Sequence, residues 1–279
     1  MRAVLRTRIG AISVAILAGV VLLAVFGPWL APYDPLAQNA RAVLQSPSAA
    51  HWLGTDNLGR DALSRLLAGS PLSLVAALEA VVLGLVIGVV PGLLSVYLGR
   101  TFEWVTLRIM DSFITLPFLV FAIAMTALLG NGLHQAMFAV GILISPGFYR
   151  VARASAMTVA NAQYVEAARL VGASSTAVLR RHVWPKVAPA IAVSTAAMMG
   201  TGLVIVSSLT FLGIGVEPPA PTWGGMLASD LQFLFQRWYG PVVPGLLIML
   251  TVGACNGLAD ALRDVARQPK RTRRSVDVS

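Results

Sequence analysis

Charge is scarce in this chain: only 12% of its 279 residues are charged, and basic residues outnumber acidic ones by 21 to 12. With 57% hydrophobic residues and a mean hydropathy of +0.76, so few charges cannot clothe the surface of a soluble globular domain. Cysteine is nearly missing. The single Cys255 excludes an intrachain disulfide and leaves the redox compartment undefined. Lysine occurs only at Lys186 and Lys270, each directly after a proline, so neither fits the phosphate-cradling loop G-x4-G-K-[ST]. Energy for any active process must therefore come from a partner. The three histidines, His51, His134 and His182, are too far apart in sequence to suggest a shared metal site, and no pattern sets a base beside a nucleophile. No catalytic residue and no metal ligand is expected.

What is present is apolar sequence in long runs. Six stretches, 9–30, 73–98, 109–129, 133–149, 188–212 and 241–259, are long enough to cross roughly 30 Å of hydrocarbon as helices. The fold class expected is an all-α membrane protein with six transmembrane helices. Lys and Arg are retained on the cytoplasmic side of short loops, and an inside N-terminus puts 17 of the 21 there, leaving Arg41, Arg60, Arg65 and Arg237 outside. Both termini are thus expected in the cytosol, and the net charge of +9 is a topology signal, not a nucleic-acid footprint. Arg2, Arg6 and Arg8 before the first run also suit a signal peptide, but that run is too long and lacks a small-x-small cleavage site.

Four regions follow: an N-terminal transmembrane helix (1–31), an external segment (32–71), a transmembrane core (72–262) with a cytoplasmic loop at 150–187, and a basic tail (263–279). In the external segment, Asp61 and Arg65 stand at i, i+4 on a short amphipathic helix with Leu63, Leu66 and Leu67. A second external segment, 213–239, holds Pro218, Pro219 and Pro221, which stiffen it as an extended arm. Gly84, Gly88 and Gly92, and again Ala192, Ala196 and Gly200, recur every four residues and let helix backbones approach closely. Ser194, Thr201 and Ser208 back the second stripe with hydroxyls that suit a hydrated cavity or a second subunit. Arg108 and Asp111, at i, i+3, read as an interfacial ion pair. Glu79 is an acidic residue well inside an apolar run, which raises either a coupling role or a bond to a neighbouring helix.

In the cytoplasmic loop, 164–171 reads as a short helix ended by Gly172, and Ser174 as the cap of a second helix reaching Trp184. On that second helix Val178, Leu179, His182 and Val183 share a face, with Arg180 and Arg181 turned elsewhere. Glu166-Ala167-Ala168, Gly172 and Pro185 resemble the EAA loop of ABC importer permeases. Three further segments, 53–61 (Leu-Gly-Thr-Asp-Asn-Leu-Gly-Arg-Asp), 108–111 and 208–213 running into Pro221-Thr222-Trp223-Gly224, extend the likeness. Together they resemble the C-type permease of the dipeptide/oligopeptide/nickel ABC importer family over nearly the whole chain. His182 and Trp184 depart from the general EAA pattern, which has Ile and Leu there, and Glu79 is foreign to it.

The resemblance implies a type I (MetI-like) importer fold in the bacterial inner membrane and a heterodimer with a second permease. It further implies two cytosolic ATPase domains that carry ATP and Mg, and a substrate-binding protein outside. It assigns Glu166, Ala167, Ala168, Arg169, Gly172, Ala173 and Ser174 to ATPase coupling. The external motif is Gly54, Thr55, Asp56, Gly59, Arg60 and Asp61, with Pro221, Trp223 and Gly224. No cofactor is implied in this chain itself. Di- or oligopeptides are the cargo expected; nickel or another small solute is the alternative within the family, and a stand-alone secondary transporter using Glu79 the alternative outside it.

Overall fold

The computed structural model describes residues 3–267, apart from the side chains of Ala167, Arg169 and Ser175. Ten α-helices are found among the described residues: α1 (Arg8–Leu30), α2 (Ala62–Leu94), α3 (Arg100–Thr115), α4 (Phe118–Leu129), α5 (Leu133–Ala160), α6 (Gln163–Leu170), α7 (Ser175–Val178), α8 (Trp184–Phe211), α9 (Trp223–Leu231) and α10 (Tyr239–Arg267). Helices are what such a sequence requires, because a backbone in hydrocarbon must satisfy its own N–H and C=O groups. Five of the helical stretches are long and apolar enough to cross a membrane, and a bent pair makes a sixth crossing if taken as one span.

The bent pair departs from the expected third span at 109–129. The helix there breaks by 100° between α3 and α4. Pro117 is the cause: it lacks an N–H and drives Leu116 into extended backbone, φ −74° and ψ 129°. The first third of the expected span therefore lies on α3, which carries Glu103, Arg108 and Asp111 and is tied to α5 by polar contacts. Tyr149 and Thr106 hydroxyls lie 2.9 Å apart, Arg150 meets Asp111 at 3.1 Å, and Arg153 pairs with Glu103. Asp111 is thus held by Arg150, not by Arg108 as the spacing suggested. Arg108 instead lies over the Trp104 ring, 5.8 Å from its centre.

The external helix expected around residue 61 is not a separate element. Asp61 caps a helix that runs on for 33 residues, about 50 Å at 1.5 Å per residue, straight through Pro71. Pro71 withholds an N–H from the Leu67 carbonyl, against which Gly27 of α1 packs, while the Ser70 and Ser73 hydroxyls donate to the Leu66 and Gly69 carbonyls, both at 2.8 Å.

The centre of the bundle is the crossing of α2 and α5. A Cβ added to Gly88 would overlap the Ser145 carbonyl oxygen and stand 2.9 Å from the Tyr149 nitrogen, while one on Gly92 would lie 2.8 Å from the Tyr149 oxygen. The four-residue glycine stripe therefore serves packing within this chain. The second stripe reaches α10 at Gly200, opposite Cys255 and Val252. Thr201 and Ser208 are exposed and bond back to their own helix, at Ala197 and Val204 oxygens. Fully buried Met137, Val140, Phe148 and Tyr149 on α5 and Leu203 and Leu209 on α8 fill the core. Outward faces of α1, α2, α4 and α10 carry exposed Val21, Val82, Val86, Val120, Leu246 and Met249. The first and last described helices meet at one end, where Gly257 of α10 faces Ser13 of α1. Arg263 and Arg267 of α10 line one cavity with Pro185 and Lys186, so the start of α1, the end of α10 and the foot of the 150–187 loop share one side of the bundle.

Gly88→Val inserts a three-carbon isopropyl group where two backbones touch, which typically costs about 1–3 kcal/mol. The detergent-solubilised variant should melt several degrees below the parent by intrinsic fluorescence, whereas Gly253→Val, with no atom near its Cβ position, should not.

Candidate functional site

At the end of the bundle opposite the 150–187 loop, the 53–61 motif folds into a tight loop on the start of α2. Gly54 and Gly59 have φ of +67° and +72°, and a Cβ on either would strike a carbonyl of the preceding segment, Gln45 or Asn39. Asp56 organises the loop: its Oδ1 accepts from the Leu58 and Arg60 N–H groups, both at 2.9 Å, and its Oδ2 from Arg60 Nε at 2.7 Å. Arg65 Nε is 3.4 Å from the same Oδ2. Asp61 does not pair with Arg65. It accepts from the Ser64 N–H and hydroxyl, each at 2.7 Å, as the N-cap of α2, and from His51 Nδ1 at 2.8 Å. Thr55 faces Asp61 across a single antiparallel bridge and donates to the Ala42 carbonyl.

The second part of the motif locks onto the first. Thr222 caps α9 by accepting from Gly225 N–H at 3.0 Å. Trp223 is fully buried; its backbone N–H donates to Ser73 Oγ at 3.0 Å and its indole N–H to Ser70 Oγ at 3.3 Å. Gly224 lies where a Cβ would strike the Ser207 carbonyl, and Pro221 lies against Gly69 of α2. Beyond α9, Arg237 is 2% exposed, donates to the Thr55 and Leu53 carbonyls, and sits 3.6 Å from Asp230. Burial pushes the Asp230 carboxyl above its ordinary value, with Arg237 pulling the other way. Sequence reasoning counted Arg237 only as an outside charge and missed Asp230, His51, Ser64 and Ser73. An Asp and an Arg seven residues apart in a largely apolar stretch were the available signal.

At the other end, α6 and α7 form a protruding knob. Gly172 has φ +87° with open space around its Cβ position, and the Ala173 N–H donates to the Ala168 carbonyl at 3.0 Å, the 6→1 bond that closes a helix around a left-handed residue. Ser174 Oγ accepts from the Ala177 N–H at 3.3 Å, capping α7 as the sequence suggested. Val165, Val178 and Val183 are fully buried beneath the knob, and the Tyr164 and His182 rings lie 5.9 Å apart across it. Arg180 and Arg181 are exposed. The tip is apolar and bare: Leu170 is 83% and Val171 86% exposed. Glu166 is exposed on α6, and its expected partner Arg169 has a side chain outside the described atoms.

The second helix of the knob does not stop at Trp184. Residues 179–183 widen into a π turn, with the Trp184 N–H bonded to the Leu179 carbonyl, and Pro185 falls in the first turn of α8, where its missing N–H is harmless. Thr176–Phe211 is therefore a single 36-residue rod from the knob to the far end. Glu79 has a partner on a neighbouring helix: both its oxygens are 2.9 Å from Nδ1 of His134, in the first turn of α5. No cluster of three metal-ligating side chains occurs among the described residues.

Removing one member of the buried pair beyond α9 tests the first site. Arg237→Met leaves Asp230 buried and unpaired, which should cost roughly 3–5 kcal/mol, read as lower thermal stability and faster proteolysis of the 32–61 segment. Adding Asp230→Asn should recover part of that loss.

Residues 60–267 match the family described as binding-protein-dependent transport system inner membrane component, and residues 1–47 match the N-terminal TM domain of oligopeptide transport permease C. The chain is 40% identical over 257 residues to the di/tripeptide transport system permease protein DppC of Pseudomonas aeruginosa, covering 90% of this chain and 84% of that one. It is 37% identical to the probable D,D-dipeptide transport system permease protein DdpC of Escherichia coli K12, covering 91% and 85% of the two chains. The glutathione transport system permease protein GsiD of Escherichia coli is 38% identical, covering 90% and 82%. In fold it is similar to a subunit of the inward-facing MetNI methionine ABC transporter, with a TM-score of 0.61 at 17% identity, covering 73% of this chain and 97% of that one. This chain belongs to the binding-protein-dependent transport system inner membrane components, the multi-pass permease part of ABC importers.

Proposed function

We propose that the chain forms half of the translocation pore of an ATP-driven importer of di- or oligopeptides. It pairs with a second, homologous permease, receives substrate from an extracytoplasmic binding protein, and is driven by two cytosolic ATPase domains that hold ATP and Mg. The knob of α6 and α7 carries this reading: a helix pair with a bare apolar tip, rigidly closed at Gly172, continuous with a membrane-crossing rod. The peptide cargo is favoured by the named relatives, which include a di/tripeptide and a glutathione permease. The knob, both chain ends and most of the basic residues lie on the cytosolic side in this reading, and the 53–61 motif with α9 lies outside.

Force applied to the knob has a defined path. A pull on the tip acts on the 36-residue helical stretch from Thr176 to Phe211, about 54 Å long at 1.5 Å per residue, and is passed on through its π turn and Pro189 towards the opposite mouth. ATP binding draws the two ATPases and their two knobs together, and the bundles rock between inward-open and outward-open; hydrolysis reverses the motion. Substrate selection lies mainly with the binding protein, so this chain needs no catalytic group. Glu79, bonded to His134, acts in this reading as a link between α2 and α5, not as an ion carrier.

Gly172→Val forces a branched side chain into a left-handed backbone, at roughly 1 kcal/mol or more, and Glu166→Lys reverses an exposed charge beside the tip. In reconstituted complex both variants should insert normally, yet substrate-stimulated ATP hydrolysis should fall several-fold while the binding protein keeps its peptide affinity. Parental transport by both variants would remove the knob from the coupling path. Reporter fusions at Ser279 and within 47–51 should report inside and outside respectively; any other outcome refutes the orientation.

A further inference from the structure

Two buried guanidinium groups line a cavity at the mouth of the bundle. The cavity, of about 520 Å³, lies between the 53–61 loop, the start of α2, the proline arm and α9. Arg60 and Arg65 form one wall, each 7% exposed; Ser229 and Gln232 offer a hydroxyl and an amide, and Phe211 and Pro219 an apolar side. Arg65 gives one N–H to the Pro35 carbonyl, at 3.1 Å. Arg60 and Arg65 share the one carboxylate of Asp56, whose other oxygen is taken by two backbone N–H groups. Asp230 faces Arg237 at 3.6 Å, and Asp61 is committed to the α2 N-terminus and His51. Glu217 sits on the arm beside the cavity but is exposed and makes no ion pair among the described residues. Two guanidinium groups with one carboxylate between them thus line a partly open, largely apolar cavity, a setting that suits an anion with an apolar body.

We propose that this cavity is a carboxylate subsite of the permease, in which Arg60 and Arg65 receive the C-terminal carboxylate of an incoming peptide. The guanidinium forks suit that group, since they bond a planar carboxylate through paired N–H donors and keep their charge when partly desolvated. Ser229 and Gln232 stand ready for the last peptide amide. Phe211 is shared with an apolar groove of about 360 Å³ that continues along α8 past Val204 and Ser208 towards Leu119 and Ile248. A peptide handed over carboxylate-first thus meets a charged mouth and then an apolar path. The subsite rests on the peptide-importer reading.

The test uses the whole importer in nanodiscs, held outward-open with ATP and vanadate and without its binding protein. Labelled trialanine and its C-terminal amide are titrated onto it. The free acid should bind about ten-fold more tightly, as expected for one charge-assisted contact. Arg60→Gln and Arg65→Gln should bring the ratio to one, and Arg65→Lys should keep part of it. Because those residues also hold Asp56, Gln232→Glu gives an independent check: it places a negative charge in the cavity without touching Asp56, and should weaken binding of the acid but not of the amide. Equal binding of acid and amide by the parent, or acid binding untouched by Gln232→Glu, overturns the subsite. An arginine variant that loses affinity for the empty binding protein, with an acid-to-amide ratio of one in the parent, assigns the cavity to a protein carboxylate and also overturns it. Proteoliposomes with binding protein and ATP separate the two levels. No uptake of trialanine by the parent defeats the peptide reading and the subsite together, whereas uptake with equal binding of acid and amide defeats the subsite alone.

Discussion

In hydrocarbon an apolar side chain gains little by leaving its neighbours, so a helical bundle there must be held by close packing and by hydrogen bonds between helices. In this chain that constraint is met where the backbones of α2 and α5 touch along Gly84, Gly88 and Gly92. Everything else is arranged on that crossing. α5 carries Arg150 and Arg153, which tether α3, and its last turns lead into the knob. α2 extends beyond the crossing to Ser70 and Ser73, which receive Trp223 and so fix α9 and the proline arm.

The two functional ends differ in how they are stabilised, and the difference suits what each does. The mouth is a buried polar network of Asp56, Arg60, Arg65, Asp230 and Arg237 beside a cavity, with a buried tryptophan next to it. Breaking any buried pair there strands a charge, which makes the network a rigid frame. The knob is local: two short helices, one left-handed glycine, one serine cap and three buried valines. A small unit of this kind moves as a body, and α7 hands its movement to α8 without a break.

Much of the local structure was legible from residue type and spacing. Gly172 and Ser174 announce a helix end and a helix start because few other residues offer a left-handed φ or a capping oxygen, and the glycine stripe announces a close crossing for the same kind of reason. Less legible were the places where a strong local signal is overruled. Residue 71 is the expected end of the external segment, but α2 runs on through Pro71 without a break. Pro117 stands inside an apolar run that reads as one span, yet nothing bridges it and the helix turns by 100°.

The sequence by itself determined that the chain is a set of membrane helices, which stripe brings two of them together, and where the knob turns at Gly172 and Ser174. These depend on properties that act within a turn or two: hydropathy, backbone freedom and capping. Only the tertiary structure decided the partners of the charges. Arg65 turned from Asp61 to Asp56, Asp111 from Arg108 to Arg150, Glu79 found His134, and Arg237 reached carbonyls 182 and 184 residues away. Helical spacing names candidates only on the same helix. A buried charge takes whichever opposite charge or carbonyl the packed elements bring within about 3 Å, and that choice exists only once distant segments have met.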